Sequence, residues 1–170
     1  MKCILNKMGF AGMVRALPFL LALHNAEESL SMVEFSARHM AGFHSVTQVR
    51  FLSALALITA AAFVLCFMAA KRLGRGVWAY IPLWIQSILF FNALSHIAIT
   101  LYTRAAAPGI YTAMLINIPF SLRLFRGAIR EGWAGRRGAV YAAGAGLALC
   151  VPVVLLSLGI RSIVERILGH

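Results

Sequence analysis

Residues 10–28 read FAGMVRALPFLLALHNAEE, an apolar run of membrane length that ends in His24-Asn25-Ala26-Glu27-Glu28. As a helix it rises roughly 28 Å at 1.5 Å per residue, close to the ~30 Å of bilayer hydrocarbon. The two adjacent carboxylates stand out because the chain has only five, all of them glutamate. A second polar pair, Asn92 and His96, lies deep inside another apolar run. Ionisable side chains at membrane depth are costly, turn towards a partner or a cavity, and mark functional sites.

Composition points the same way over all 170 residues. Hydrophobic residues make up 61%, against about 45–50% in soluble domains. Charged residues make up 12%, against about 25%, and the mean hydropathy is +0.84. The expected fold is all-α, a polytopic transmembrane helical bundle forming a single integral membrane domain over 1–170. A formal net charge of +11 would suit nucleic acid. The Lys and Arg, however, are spread over short loops between apolar runs, as topology signals and contacts to anionic lipid headgroups are. No nucleic-acid partner is expected. Cys3, Cys66 and Cys150 are isolated and read as small buried hydrophobes.

Five spans are expected, at approximately 10–28, 46–70, 77–103, 108–125 and 139–160. Between the first two lies an interfacial stretch, 29–45, that carries Glu34, Arg38, His39 and His44. Lys2, Lys7 and Arg15 before the apolar 16–23 resemble a secretory signal, but no A-x-A cleavage pattern follows, so a retained first helix is expected. With the N-terminus cytoplasmic, the inner side holds Lys2, Lys7, Arg15, Lys71, Arg72, Arg75, Arg123, Arg126, Arg130, Arg136 and Arg137. The outer side holds only Arg38, Arg50, Arg104, Arg161 and Arg166. The excess of cations on the inner side favours that orientation, in a bacterial plasma (inner) membrane.

That orientation sorts the polar residues by depth. Glu27 and Glu28 fall at the outer mouth of the first span, with His24 roughly 6 Å deeper. His96 falls about 9 Å below Tyr102, and Asn92 about 6 Å deeper again. Thr47 and Gln48 open the second span on the same side, and Pro108-Gly109 with Thr112 open the fourth. Apart from basic flanks, the inner halves read as almost purely apolar.

Helical spacing sharpens the grouping. His24, Glu27 and Glu28 are i, i+3 and i+4, so they share one face; Asn92, His96 and Thr100 form another stripe by steps of four. Two imidazoles with two carboxylates are a ligand set for Zn, Fe or Mn. Glu and His faces turned inward are also how di-metal carboxylate bundles are made. The metal candidates are therefore His24, Glu27, Glu28 and His96, with Glu27 and Glu28 the catalytic ones. The bland alternative is a hydrogen-bonded polar knot that pins helix packing.

The chain resembles the HXXEE-domain family of small bacterial integral membrane proteins. The likeness rests on His24-Asn25-Ala26-Glu27-Glu28, Asn92-Ala93-Leu94-Ser95-His96, Arg104 with Pro108-Gly109 and Thr112, and Pro119. It covers most of the chain and implies that the three clusters belong to one site; the family's function is uncharacterised. A weaker likeness, to intramembrane CAAX-type proteases, departs at Met32, where their pattern has Arg.

Other residues have plainer readings beside the sharp ones. Asn92, Gln48, Arg104 and Thr112 are candidates for substrate binding, Arg104 by attracting an anionic headgroup. His39 and His44 are secondary candidates for a metal shell, against solvated interfacial histidines. Gly109 would permit close backbone approach. Asn117 and Pro119 mark a kink, since Pro removes one helical hydrogen bond. Trp78, Tyr80, Trp84, Tyr102 and Tyr111 read as interface anchors.

Three function classes use the same residues. The favoured one is a membrane-embedded enzyme, metal-dependent or acting by Glu/His acid–base chemistry, on a lipid-like or isoprenoid molecule from the outer leaflet. The second is a proton or metal-ion transporter or channel, which five spans would support best as a homo-oligomer. The third is a packing or assembly protein.

Overall fold

The computed structural model describes residues 8–40, 47–74 and 76–157, without the side chains of 76 and 150–157. Lys2, Cys3, Lys7, His44, Arg75, Arg161 and Arg166, and the span ends expected at 46 and 160, lie outside the described residues. Within them the fold is all helical, as composition and periodicity require. Helix α1 is Phe10–Ser29, α2 is Met32–His39 and α3 is Gln48–Arg72. A 3₁₀ turn, Gly76–Ala79, leads into α4, Tyr80–Thr103. Helix α5 covers 110–130, opening with one α-turn, Ile110–Thr112, widening to a π-helical segment, Ala113–Asn117, and continuing as Ile118–Arg130. Helix α6 is Arg136–Ser157. Five helices thus occupy the stretches read as spans, and α2 is an additional element in the interfacial stretch.

Helices α1, α4 and α5 meet around one core, with α3 packed on α1 and α6 on α4. Among the buried residues of α1, Phe10, Val14, Leu17, Leu21, His24 and Glu28 form one stripe at alternating steps of four and three, with Met13, Pro18 and Asn25 buried beside it. It meets Leu83, Leu89, Phe120 and Leu124 in the apolar half. The stripe is apolar up to Leu21 and polar beyond it. Cys66 is buried with Ala62 and Ala69 where α3 joins the core.

Helices α4 and α6 touch backbone to backbone. Gly138, Ala142 and Gly146 recur every four residues along α6. A Cβ on Gly146 would stand 2.0 Å from Ser87 Cβ and 2.9 Å from its carbonyl carbon. Stripes of small residues of this kind bring helices together where lipid removes the hydrophobic driving force.

The π segment has a local cause. Pro119 has no N–H to offer the carbonyl four residues back, and its ring crowds that turn. The Ile118 N–H reaches Ala113 O instead, one residue further than in an α-helix.

Large apolar side chains face outward. Val49, Leu57 and Val64 on α3 are 74%, 71% and 58% exposed, while His24, Gln86, His96 and Asn117 are buried. Extended exposed apolar faces are rare on monomeric soluble proteins and mark protein–protein or membrane contact. Two helices, Gln48–Arg72 and Val77–Thr103, are long and apolar enough to cross a membrane. Helix α1 is too polar by that measure, since it carries Arg15 and the His24–Glu28 cluster itself.

Candidate functional site

The polar end of the α1 stripe faces the Asn92–His96–Thr100 stripe of α4 and the first turn of α5. Glu28 Oε1 lies 2.8 Å from His96 Nε2 and 3.4 Å from His24 Nε2. Asn92 Nδ2 lies 3.1 Å from His24 Nε2 and 3.2 Å from His96 Nε2. The two imidazoles stand edge to face, with ring centroids 5.1 Å apart. His24, Glu28 and His96 are all buried, and one ligand atom of each lies within 4.8 Å of the others.

The turn between α4 and α5 closes over this group. Arg104 ends α4 in the left-handed region at φ 55°, and Gly109 starts α5 from the same region at φ 88°. A Cβ on Gly109 would stand 3.0 Å from Glu28 Cγ, His24 Cε1 and His96 Cε1. The turn backbone therefore rests on all three side chains, and glycine supplies both the conformation and the clearance. The Ala107 N–H donates to Thr100 Oγ1 at 3.0 Å, which ties the turn to the α4 stripe.

Glu27 faces another way. Its Oε1 accepts from the Tyr111 N–H at 3.1 Å and its Oε2 from the Thr112 N–H at 2.9 Å. The N-cap residue of α5, Gly109, has no side chain to satisfy these donors, and a carboxylate suits the positive end of a helix. The other end of the bundle mirrors this contact. There Glu131, at the foot of α5, takes the Phe10 N–H at 3.0 Å on both oxygens and caps α1. Each of these two antiparallel helices is thus capped by a glutamate from the other.

The Thr112 hydroxyl contacts the outward nitrogen of His24. Thr112 Oγ1 donates to Gly109 O at 3.2 Å and lies 2.7 Å from His24 Nδ1. With the hydroxyl proton on Gly109 O, the tautomer that fits this contact has Nδ1–H donating to Oγ1. The Nε2 lone pair then points inward, where Asn92 Nδ2 meets it. His96 is less settled. Its Nε2 faces a donor, Asn92, and an acceptor, Glu28, at once, while its buried Nδ1 has no partner among the described residues. A cation among Nε2, Nε2 and Oε1 would satisfy all three, and turning the Asn92 amide would add Oδ1 as a fourth donor.

The remaining sequence candidates lie outside this cluster. Gln48 is exposed and donates to Ser29 O at 2.8 Å. His39 is exposed at the end of α2, stacks on Phe35, and places Nδ1 3.0 Å from Phe35 O. Arg104 is exposed and forms no ion pair with Glu28 among the described residues. Asn25 turns to α3, where Nδ2 donates to Thr59 Oγ1 at 2.7 Å, on a mostly apolar groove of about 430 Å³ between α1 and α3.

Two features had no reading in the sequence. The first is the Glu131 cap, whose one available signal was a lone acid in a basic loop. The second is a polar group between α4 and α5, in a stretch read above as apolar. Gln86 Nε2 donates to Ser121 Oγ at 2.7 Å, Ser121 Oγ donates to Asn117 O at 2.6 Å, and the buried Asn117 Nδ2 has no partner among the described residues.

Comparison with known proteins places this geometry in context. The family model described as "Protein of unknown function with HXXEE motif" matches residues 15–124, which hold every residue of the cluster. The chain is 28% identical over 102 residues to the uncharacterised protein YrkK of Bacillus subtilis (strain 168). That match covers 59% of this chain and 65% of the relative, so somewhat less than two thirds of the relative's length is spanned. No solved structure matches.

Proposed function

We propose that this chain, which belongs to the family of proteins with the HXXEE motif, is a five-span membrane enzyme with one divalent transition metal at its outer end. The convergence of His24 Nε2, His96 Nε2 and Glu28 Oε1 within 4.8 Å in a buried position carries the reading. Two imidazoles and one carboxylate are the protein ligands of hydrolytic zinc sites and of iron(II) oxygenases, and both keep positions open for reactants. When bound, such an ion lowers the pKa of a water and polarises an acyl or phosphoryl oxygen, or activates oxygen if it is iron.

The membrane setting is supported by the outward apolar faces of α3, the close α4–α6 contact and the surplus of cations at the inner end. The five spans run near 10–28, 46–70, 77–103, 108–125 and 139–160, with the N-terminus cytoplasmic in a bacterial plasma membrane. Lys71, Arg72, Arg123, Arg126, Arg130, Arg136 and Arg137 then meet anionic headgroups on the cytoplasmic face. The substrate is a lipid-like or isoprenoid molecule that approaches from the outer leaflet past the exposed Arg104. Asn92, within 3.2 Å of both imidazoles, orients the ligand nitrogens or serves as a fourth donor. The turn at Gly109 limits water in the site.

One observation favours a second reading, transport of a proton or metal ion. The Gln86–Ser121–Asn117 group carries polarity inward from the cluster. A single experiment separates the two. Lipid extracts from cells producing wild type or Glu28→Gln are compared by mass spectrometry, and the same proteins are assayed for ion flux in proteoliposomes. A lipid species consumed by wild type and spared in Glu28→Gln supports the enzyme. A Glu28-dependent flux with no change in lipids supports transport and overturns the enzyme.

A further inference from the structure

The two adjacent glutamates of the motif make different contacts. Glu28 meets both imidazoles, whereas both oxygens of Glu27 are taken by backbone N–H groups of α5 at 3.1 and 2.9 Å. One of those donors belongs to Thr112, whose hydroxyl is 2.7 Å from His24 Nδ1. The clamp on the backbone of residue 112 and the contact to the imidazole therefore share one residue. The fit around it is tight. Gly109, three residues earlier, leaves 3.0 Å between an added Cβ and carbons of His24, Glu28 and His96.

We infer that Glu27 is a positioning residue: it clamps the first turn of α5 so that Thr112 Oγ1 fixes the His24 tautomer with Nε2 free for the ion. The inference rests on the metal-site reading above and names the group that holds the other ring nitrogen of one ligand. Metal-bound histidines commonly donate their other N–H to such a partner, which sets the tautomer and the ring orientation. The usual partner is a carboxylate, a carbonyl or a water. Here it is a threonine hydroxyl whose own proton goes to Gly109 O and whose backbone is held by a carboxylate on the same helix as the histidine. A carboxylate is suited to this task because it offers one oxygen to each of two N–H groups at a helix N-terminus. A glutamine in its place accepts with one oxygen only and brings donors towards donors.

Two readouts on one set of variants test the inference: wild type, Glu27→Gln, Thr112→Val, Thr112→Ser and the Glu27→Gln/Thr112→Val double. Zinc affinity is measured by chelator competition in detergent. Glu27→Gln and Thr112→Val should each weaken it about 10–100-fold. The double should be no weaker than Thr112→Val alone, because both changes break one chain of contacts. Thr112→Ser keeps the hydroxyl and should restore binding. Additive losses in the double overturn the inference, as does equal binding by Thr112→Val and Thr112→Ser.

The second readout is the pair of His24 side-chain ¹⁵N shifts in metal-free protein. Wild type should show the Nδ1–H form, and Glu27→Gln and Thr112→Val should show a mixture. An unmoved tautomer in Glu27→Gln overturns the inference whatever happens to zinc. A wild type that binds no zinc but shows the tautomer change overturns the metal site and leaves the clamp standing. Should Glu27→Gln fail to fold, the comparison of Thr112→Val with Thr112→Ser decides by the same criteria.

Discussion

Gly109→Ala is the substitution whose effect follows most directly from the geometry. The residue sits at φ 88°, ψ −8°, where an L side chain costs about 1–2 kcal/mol. The added Cβ would stand 3.0 Å from three carbons, one each on His24, Glu28 and His96. Ordinary carbon contacts are about 3.5–4.0 Å, so each neighbour must give roughly half an ångström or the turn must lift. Inserting a methyl into packed surroundings costs about 1–3 kcal/mol. Together the two effects predict a loss of about 2–5 kcal/mol in stability. The displacement exceeds the roughly 0.2 Å tolerance of metal–ligand distances, so zinc affinity should fall tenfold or more. Reversible denaturant unfolding in detergent and chelator competition measure the two effects. Gly144→Ala is the control, since a Cβ there meets nothing within 4 Å. In an exposed helix it should be neutral or stabilise by about 0.5–1 kcal/mol. Wild-type stability and zinc affinity in Gly109→Ala would refute the closed-turn geometry on which the site is built.

Other contacts give equally definite expectations. Gly146→Ala would place a Cβ against both the side chain and the backbone of Ser87, forcing α4 and α6 apart at a cost of about 1–3 kcal/mol; the same unfolding assay reads it. Glu131→Ala removes the cap from the buried Phe10 N–H and should cost about 1 kcal/mol while leaving zinc affinity unchanged. On a cysteine-free background, cysteines introduced at the exposed Arg104 and Tyr111 should react in intact cells with an impermeant maleimide, and a cysteine at Gly74 should not. Reversed labelling would overturn the orientation. Protection of all three would leave lateral entry from lipid as the only route.

The helices were legible because apolar runs of span length are long-range signals that local irregularities do not erase. Each run read from the sequence became a helix, although α1 pays for its site in hydropathy. The partners within the site were legible because steps of three and four place residues on one face whatever the neighbouring helix does. His24 with Glu28 on α1, and Asn92 with His96 on α4, follow from that rule. What spacing could not separate was Glu27 from Glu28. Both share the face of His24, and which one meets imidazole depends on where α5 begins, a fact held in Gly109 and the turn before it. The polar group between α4 and α5 was illegible for a related reason. Asn117 and Ser121 are four apart on α5, but nothing local links them to Gln86 on α4, and the π segment before Pro119 changes the rotation at which Asn117 meets α4. The sequence reading places Gln48, Arg104 and His39 at the depth of the site, but all three are exposed, because equal depth does not fix direction around a helix axis.

The metal content of detergent-purified protein, counted per chain by elemental analysis, bears most directly on the central claim. Wild type should carry one divalent transition-metal ion per chain. His24→Ala, Glu28→Gln and His96→Ala, each removing one of the three converging ligands, should carry little or none. Equal and substoichiometric metal in all four proteins would contradict the claim, leaving His24, Glu28, Asn92 and His96 as a hydrogen-bonded knot that holds α1 against α4.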